Sequence, residues 1–117
     1  MQIHETKKDD VLVLSVQGQL DTLTAPQFEA RLVALIGSGE RRLCLDCAAL
    51  EYVNSAGLKG FLVAAKDLDS LGGKFVICDL APAVRMVFEM IGFTQIMTIV
   101  PSRAEALEWL AAQPAAT

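Results

Sequence analysis

Histidine is nearly missing: the 117-residue chain has one, His4, close to its start. A Ser-His-Asp or Cys-His nucleophile needs an imidazole base at its side, so those enzyme classes have almost no footing here. A metal site built on several histidines has none. Positive charge is also scarce. Ten basic residues face 14 acidic ones, for a formal net charge of −4. This argues against sequence-independent nucleic-acid binding, which needs a basic surface to replace phosphate counterions. Apolar runs are only a handful of residues long, as in Val11-Leu12-Val13-Leu14. A membrane span needs about 20. Residues 1–10 hold neither an apolar core nor a cleavage pattern of the kind a signal peptide carries, so a cytoplasmic protein is expected. Three cysteines cannot all pair within one chain, and in a reducing compartment they are expected as free thiols.

Apolar residues make up 53% of the chain and charged residues 21%, a globular composition. The length suits a single domain that folds without disulfides or structural metal. Alternating residues predict strands over 2–7 and 11–17, joined at Lys8-Asp9-Asp10 and ended by Gly18. Leu12, Leu14 and Val16 would then face one side, and Val11, Val13 and Ser15 the other. Thr24-Ala25-Pro26-Gln27 has capping-box spacing with proline in the first turn. Phe28, Leu32, Leu35 and Ile36 continue it as a helical stripe that stops at Gly37-Ser38-Gly39. A strand is predicted over 42–47, then a helix opened by Asn54-Ser55 with Leu58, Phe61, Leu62, Ala65 and Leu68 inward. Lys74 to Cys78 reads as a strand. Pro82 starts a third helix with Val84, Val87, Phe88 and Ile91 inward, closed by a left-handed Gly92 onto which Phe93 folds back. A short strand over 96–100 precedes a second capping box, Ser102-Arg103-Ala104-Glu105, and a last helix with Leu107 and Leu110 inward. The order ββαβαβαβα predicts an α/β fold: a mixed central sheet of about five strands, with an antiparallel opening hairpin and four helices. The domain is placed at residues 1–112, and the small-residue tail 113–117 is expected to fray.

The segment Leu50-Glu51-Tyr52-Val53-Asn54-Ser55-Ala56-Gly57-Leu58 links a strand's C-terminal end to a helix N-terminus, the edge where open α/β sheets meet ligands. Unpaired N–H groups and the partial positive charge there stabilise an anion, including a phosphate on Ser55. Ala56, Gly57 and Gly60 are small enough to let a partner's backbone or a nucleotide's phosphates approach, so weak nucleotide binding is an open expectation. The same residues also read simply as a helix cap, with Gly57 and Gly60 packed against the sheet.

Three stretches fall in order along the chain: Gly18-Gln19-Leu20-Asp21 before Thr24-Ala25-Pro26; Val53-Asn54-Ser55-Ala56-Gly57-Leu58; and Met86-Val87-Phe88-Glu89-Met90-Ile91-Gly92-Phe93 before Ser102 to Leu107. As a set, and over residues 2–112, they resemble a STAS domain of the anti-sigma factor antagonist family. The resemblance implies a binding switch without catalytic residues, cofactor or metal. The unphosphorylated protein would bind an anti-sigma factor that is also a serine protein kinase, that kinase would phosphorylate the serine opening the second helix, and a serine phosphatase would reset it. The family pattern Asp-Ser-(Ser/Thr/Ala)-Gly-Leu places the phosphoacceptor at Ser55 and the motif glycine at Gly57. Asn54 stands where the family usually has Asp. The expected contact set is Asp21, Asn54, Ser55, Ala56, Gly57, Lys59, Gly60, Val63 and Arg85, with Lys66, Asp67 and Glu89 on the rim; the alternative for the rim is a merely solvated face. A second reading keeps the fold and changes the partner: a STAS accessory subunit docking on the ATPase of a phospholipid-transport ABC system. A small redox or nucleotide-hydrolysing enzyme ranks last, since no histidine base, P-loop or well-placed dithiol supports it.

Cys44-Leu45-Asp46-Cys47 has the Cys-x-x-Cys spacing, but residues three apart in a strand point to opposite faces. Buried packing is expected for both thiols, and a Cys₃His zinc set with Cys78 and His4 lacks paired ligand spacing. Asp21, Asp46 and Asp79 near strand ends read as turn or cap residues, with the resemblance favouring Asp21 and Asp46 beside the Ser55 loop. Trp109 is expected to pack partially at the edge of the last helix.

Overall fold

A computed structural model describes residues 1–114. The elements are β1 (Gln2–Lys8), β2 (Val11–Leu20), α1 (Ala25–Gly37), β3 (Arg42–Asp46), β4 (Leu50–Val53), α2 (Ser55–Ser70), β5 (Lys74–Cys78), α3 (Pro82–Met90), α4 (Phe93–Ile96), β6 (Thr98–Val100) and α5 (Arg103–Ala112). The α/β class and the mixed sheet are as expected. Among the described residues the sheet has six strands rather than about five, in the order β1-β2-β3-β5-β6 with β4 joined to β2, and there are five helices rather than four. Strand β1 runs antiparallel to β2, while every other pairing is parallel.

The extra strand depends on Gly18. Its φ of +93° is a conformation side chains rarely adopt, and the β2–β4 register shifts between Gly18 and Gln19. Strand β2 bends there instead of ending. Its first half pairs with β1 and β3, and Gly18 to Leu20 pair with β4. The bend carries Leu20 to the entrance of α2.

The two faces of β2 separate as the alternation predicts. Leu12, Leu14 and Val16 join Phe28, Leu32, Phe61, Leu68 and Phe88 in the larger core under α1, α2 and α3. Val13 joins Cys44, Val76, Cys78, Ala106 and Leu110 in the smaller core under α5. A series of rings, Phe28–Phe61–Phe88–Phe93 with centroids 5.1, 5.2 and 5.8 Å apart, the first pair tilted and the other two edge-on, ties the larger core together. Gly92 is left-handed with φ +81° as expected, while Phe93 packs its ring on Phe88 and opens the one-turn α4. Three local expectations are corrected. Thr24 forms no side-chain cap, because its hydroxyl is bound into the preceding turn. Ile91 is exposed, because α3 ends at Met90 and its inward stripe stops at Phe88. Residue 96 belongs to α4, so β6 starts at Thr98. The Ser102 hydroxyl does cap α5, accepting from Glu105 N–H at 3.2 Å. In the segment expected to fray, the Gln113 carbonyl accepts from Arg42 at 2.9 Å, and residues 115–117 lie outside the described part.

Candidate functional site

Pairing of Leu20 with Val53 brings the end of β2 beside the end of β4, and the two following loops meet. Asn54 N–H donates to Leu20 O at 3.0 Å, so α2 starts in fixed register with the turn after β2. The Asn54 side chain then does two things. Its Oδ1 accepts from Ala56 N–H at 3.0 Å and Gly57 N–H at 3.3 Å, capping α2. Its Nδ2 donates to Thr22 Oγ1 at 3.4 Å, reaching across to the other loop. An aspartate here could cap but could not donate. Ser55 follows as the first residue of α2, exposed to solvent, while Ala56 is half-buried behind it.

Asp21 organises the neighbouring turn. Its Oδ1 accepts from Leu23 N–H at 3.0 Å, Thr24 N–H at 3.1 Å and the Thr24 hydroxyl at 3.2 Å. The Thr24 hydroxyl donates to Gln19 O at 2.8 Å and accepts from Asp21 N–H at 3.0 Å. These bonds, led by that of Thr24 N–H, hold the Asp21 carboxyl below its ordinary value, against the smaller opposing effect of burial.

Asp21, Asn54, Ser55 and Ala56 therefore meet at one edge. Lys59 is one turn further along α2, exposed, with Nζ 3.8 Å from Glu29 of α1. Val63 is half-buried on the same helix. Arg85 lies exposed on α3, its Nε donating to Glu89 Oε1 at 2.9 Å instead of to anything at the Ser55 loop.

Gly57 and Gly60 are packed inside the fold, and this corrects the expectation that they lie open to a partner. Both are buried. A β-carbon on Gly57 would lie 2.7 Å from Leu20 Cβ and 2.8 Å from Val53 Cγ2, and one on Gly60 would lie 2.8 Å from Phe28 Cδ2. They let α2 approach its own sheet and α1. Asp46 is corrected too: it serves the opposite face of the sheet, where Arg103 of α5 binds its Oδ2 at 2.7 Å and Ser15 Oγ at 2.9 Å.

Several exposed or bonded residues around these loops and on α3 escape a reading by motif. Thr22 is joined to the site through Asn54. Leu23, in the same turn, is 89% exposed, and Met86 and Met90 on the outer face of α3 are 60% and 79% exposed. Their signal is apolar side chains off the inward stripe: Met86 and Met90 are four apart and out of phase with Val84 and Phe88.

The cysteines are buried, and Cys44 and Cys47 diverge into opposite cores as expected. Cys44 instead meets Cys78 on the next strand, Sγ to Sγ 3.7 Å, a contact that spacing along the chain does not reveal. The bond to Cys44, and then burial, push the Cys78 thiol well above its ordinary value; burial does the same to Cys47. Asp46, Cys78 and Asp79 bring ligand atoms within 4.8 Å of one another, but the Arg103 guanidinium already provides the positive charge beside Asp46.

The model of the STAS domain matches residues 2–106. The chain belongs to the STAS domain family. A Bordetella bronchiseptica protein named as an anti-sigma factor antagonist, BtrV, is 42% identical to this STAS chain over 106 residues, covering 91% of each. The anti-sigma F factor antagonist of Paenibacillus polymyxa is 29% identical over 111 residues, covering 92% of each. A Thermotoga maritima crystal structure superposes with a TM-score of 0.90 at 22% identity, over 93% of this chain and 94% of that one, and so shares the STAS fold. Among the described residues, no helix is long and apolar enough to cross a membrane.

Proposed function

We propose that this STAS chain is an anti-sigma factor antagonist controlled at Ser55. Unmodified, it binds an anti-sigma factor that is also a serine protein kinase. Phosphorylation of Ser55 ends the binding, and a serine phosphatase restores it. The chain is then a cytoplasmic regulator and not an enzyme. The observation that carries this reading is the exposed Ser55 at the start of α2, beside the Asp21–Thr24 turn, in a chain 42% identical to a relative named as an anti-sigma factor antagonist.

The physics of the switch is local. A phosphate adds about −1.5 to −2 charges and three strong acceptor oxygens. In the free protein it would sit in water at the positive end of α2, with Lys59 one turn away and able to turn from Glu29. Asn54 is neutral, so the cap does not repel it. Under a docked partner the same charge loses its water. A desolvated and unpaired charge costs several kcal/mol, against about 8 kcal/mol for an entire micromolar complex. The contact surface on this reading is Asp21, Thr22, Leu23, Asn54, Ser55 and Lys59, extended over α3 by Arg85, Met86 and Met90.

Wild type, Ser55→Ala and Ser55→Glu, tagged and purified in parallel from the native host, test this. Mass spectrometry is expected to find a serine-kinase anti-sigma factor with wild type and Ser55→Ala, and to lose it with Ser55→Glu. If all three retain one partner, above all a transporter ATPase, Ser55 is only a helix residue and the regulatory reading falls.

A further inference from the structure

At the far end of α2 from Ser55, roughly 16 Å along the helix to Lys66, a half-open cavity of about 460 Å³ lies between the last turns of α2, the start of β5, and the segment 96–98 entering β6. Leu62 and Ala65 of α2, Phe75 of β5, Ile96 and Met97 form its apolar wall, and Trp109 of α5 also lines it. The volume falls in the range of small-molecule sites, roughly 300–1,000 Å³. Part of the wall is open to water: Ile96 is exposed, and Trp109 is half-buried.

Charge decides what such a cavity would take. Lys66 and Lys74 both line it, with Asp69 the one acidic residue among the lining side chains. Among the described residues the six ion pairs involve Lys7, Arg31, Arg42, Lys59, Arg85 and Arg103; neither Lys66 nor Lys74 has a carboxylate within 4.0 Å. Lys8 and Arg41 also lack an ion pair, but Lys66 and Lys74 alone among the unpaired cations share one apolar cavity, in a chain with 14 acidic residues against 10 basic ones. Lysine stems pack along apolar surface while the ammonium heads stay at the mouth. An uncharged apolar ligand would leave both heads unused, and a cation would be repelled.

We propose that this cavity binds a small amphipathic anion, with an apolar chain against Leu62, Phe75, Ile96 and Trp109 and a carboxylate or phosphate head at Lys66 and Lys74. The site is separate from the Ser55 loop and does not depend on the function proposed for that loop.

Trp109 is the sole tryptophan, so its emission reports on the cavity directly. The full chain is titrated with decanoate below its micelle-forming concentration, with decyl phosphate and with decanol. Amide NMR shifts are mapped in parallel. Saturable change at Trp109 and at residues 62–69 and 96–98 is expected with one or both anions, and the tighter of the two identifies the head group. Decanol is expected to bind about tenfold more weakly or worse, and Lys66→Glu/Lys74→Glu to weaken the anion by a similar factor. Lys66→Gln/Lys74→Gln serves if the double charge reversal lowers the unfolding midpoint. No saturable change, equal binding of decanol, or full affinity in the lysine variants would each overturn the proposal. So would concentration-dependent self-association burying Ile96, which would make the wall a contact between copies.

Discussion

At the scale of single residues, the site is held by two side chains that satisfy backbone groups, Asp21 in one loop and Asn54 in the other. Asp21 gives a pH signature. Its hydrogen bonds from Thr24 and Leu23 are made to the ionised carboxylate, which lowers the folded-state value. A lowered carboxyl value contributes stability that is present above the unfolded value, near pH 4, and is lost as pH falls through the folded one. Asp21→Asn keeps an acceptor oxygen but has nothing to titrate. Thermal unfolding followed from pH 6 to pH 2 is therefore expected to fall less steeply below pH 4 in Asp21→Asn than in wild type. Superimposable profiles would show that the turn does not prefer the charged form. This part of the site was half-legible in the chain. Asp21 and Ser55 stand out by position, since both follow predicted strands. Thr22 does not, because its role is a hydrogen bond to a residue 32 positions away, which no local pattern encodes.

At the scale of elements, α2 is placed by what it lacks. Glycine inside a helix ordinarily costs about 1 kcal/mol relative to alanine, so Gly57→Ala and Gly60→Ala would stabilise an isolated helix. Here the new methyl at Gly57 would meet Leu20 Cβ at 2.7 Å and Leu20 O at 3.1 Å, atoms fixed by strand pairing. Overpacking of this kind costs about 1–3 kcal/mol and exceeds the helix gain. Gly57→Ala is expected to lower stability by about 1–2 kcal/mol in urea unfolding and to shift the Asn54–Ser55 loop outward. At Gly60 the obstacle is the Phe28 ring, already packed on Phe61, so the cost should be similar. A stabilised Gly57→Ala protein would mean that the helix is free to move off the sheet. Long periodic elements such as α1, α2 and β2 were readable because their stripes span several turns or alternations. Strand β4 was not. Its four residues alternate too briefly, and it exists because Gly18 bends β2 to meet it. The one-turn α4 was hidden for the same reason: the pattern ran on through Gly92 toward the next strand, and a single turn has no stripe to count.

At the scale of the whole molecule, the sheet is covered unequally. One face carries α1, α2 and α3 and nearly all the large apolar side chains; the other carries α5, which buries Ala106 and Leu110. So thin an apolar contact leaves α5 dependent on polar ties: Arg103 to Asp46 and Ser15 near its start, and Arg42 to the carbonyls of Leu110 and Gln113 at its end. Regions with little buried apolar area open at lower free energy than the global transition. The cysteines report on this, because Cys44 and Cys78 lie under α5 while Cys47 lies in the opposite core. Removing Arg103 leaves the buried Asp46 carboxylate without its cation, which weakens the docking of α5 by about 2 kcal/mol once partial exposure of the pair is discounted. Under native conditions, a thiol reagent is expected to label Cys44 and Cys78 of Arg103→Ala about ten- to thirtyfold faster than in wild type, with the rate at Cys47 unchanged. Equal acceleration at all three cysteines would mean that the domain opens only as one unit. Selective labelling would show that the face away from Ser55 can loosen while α2 and its loop stay in place, so that the proposed partner surface and the α5 face are energetically separate halves of one small sheet.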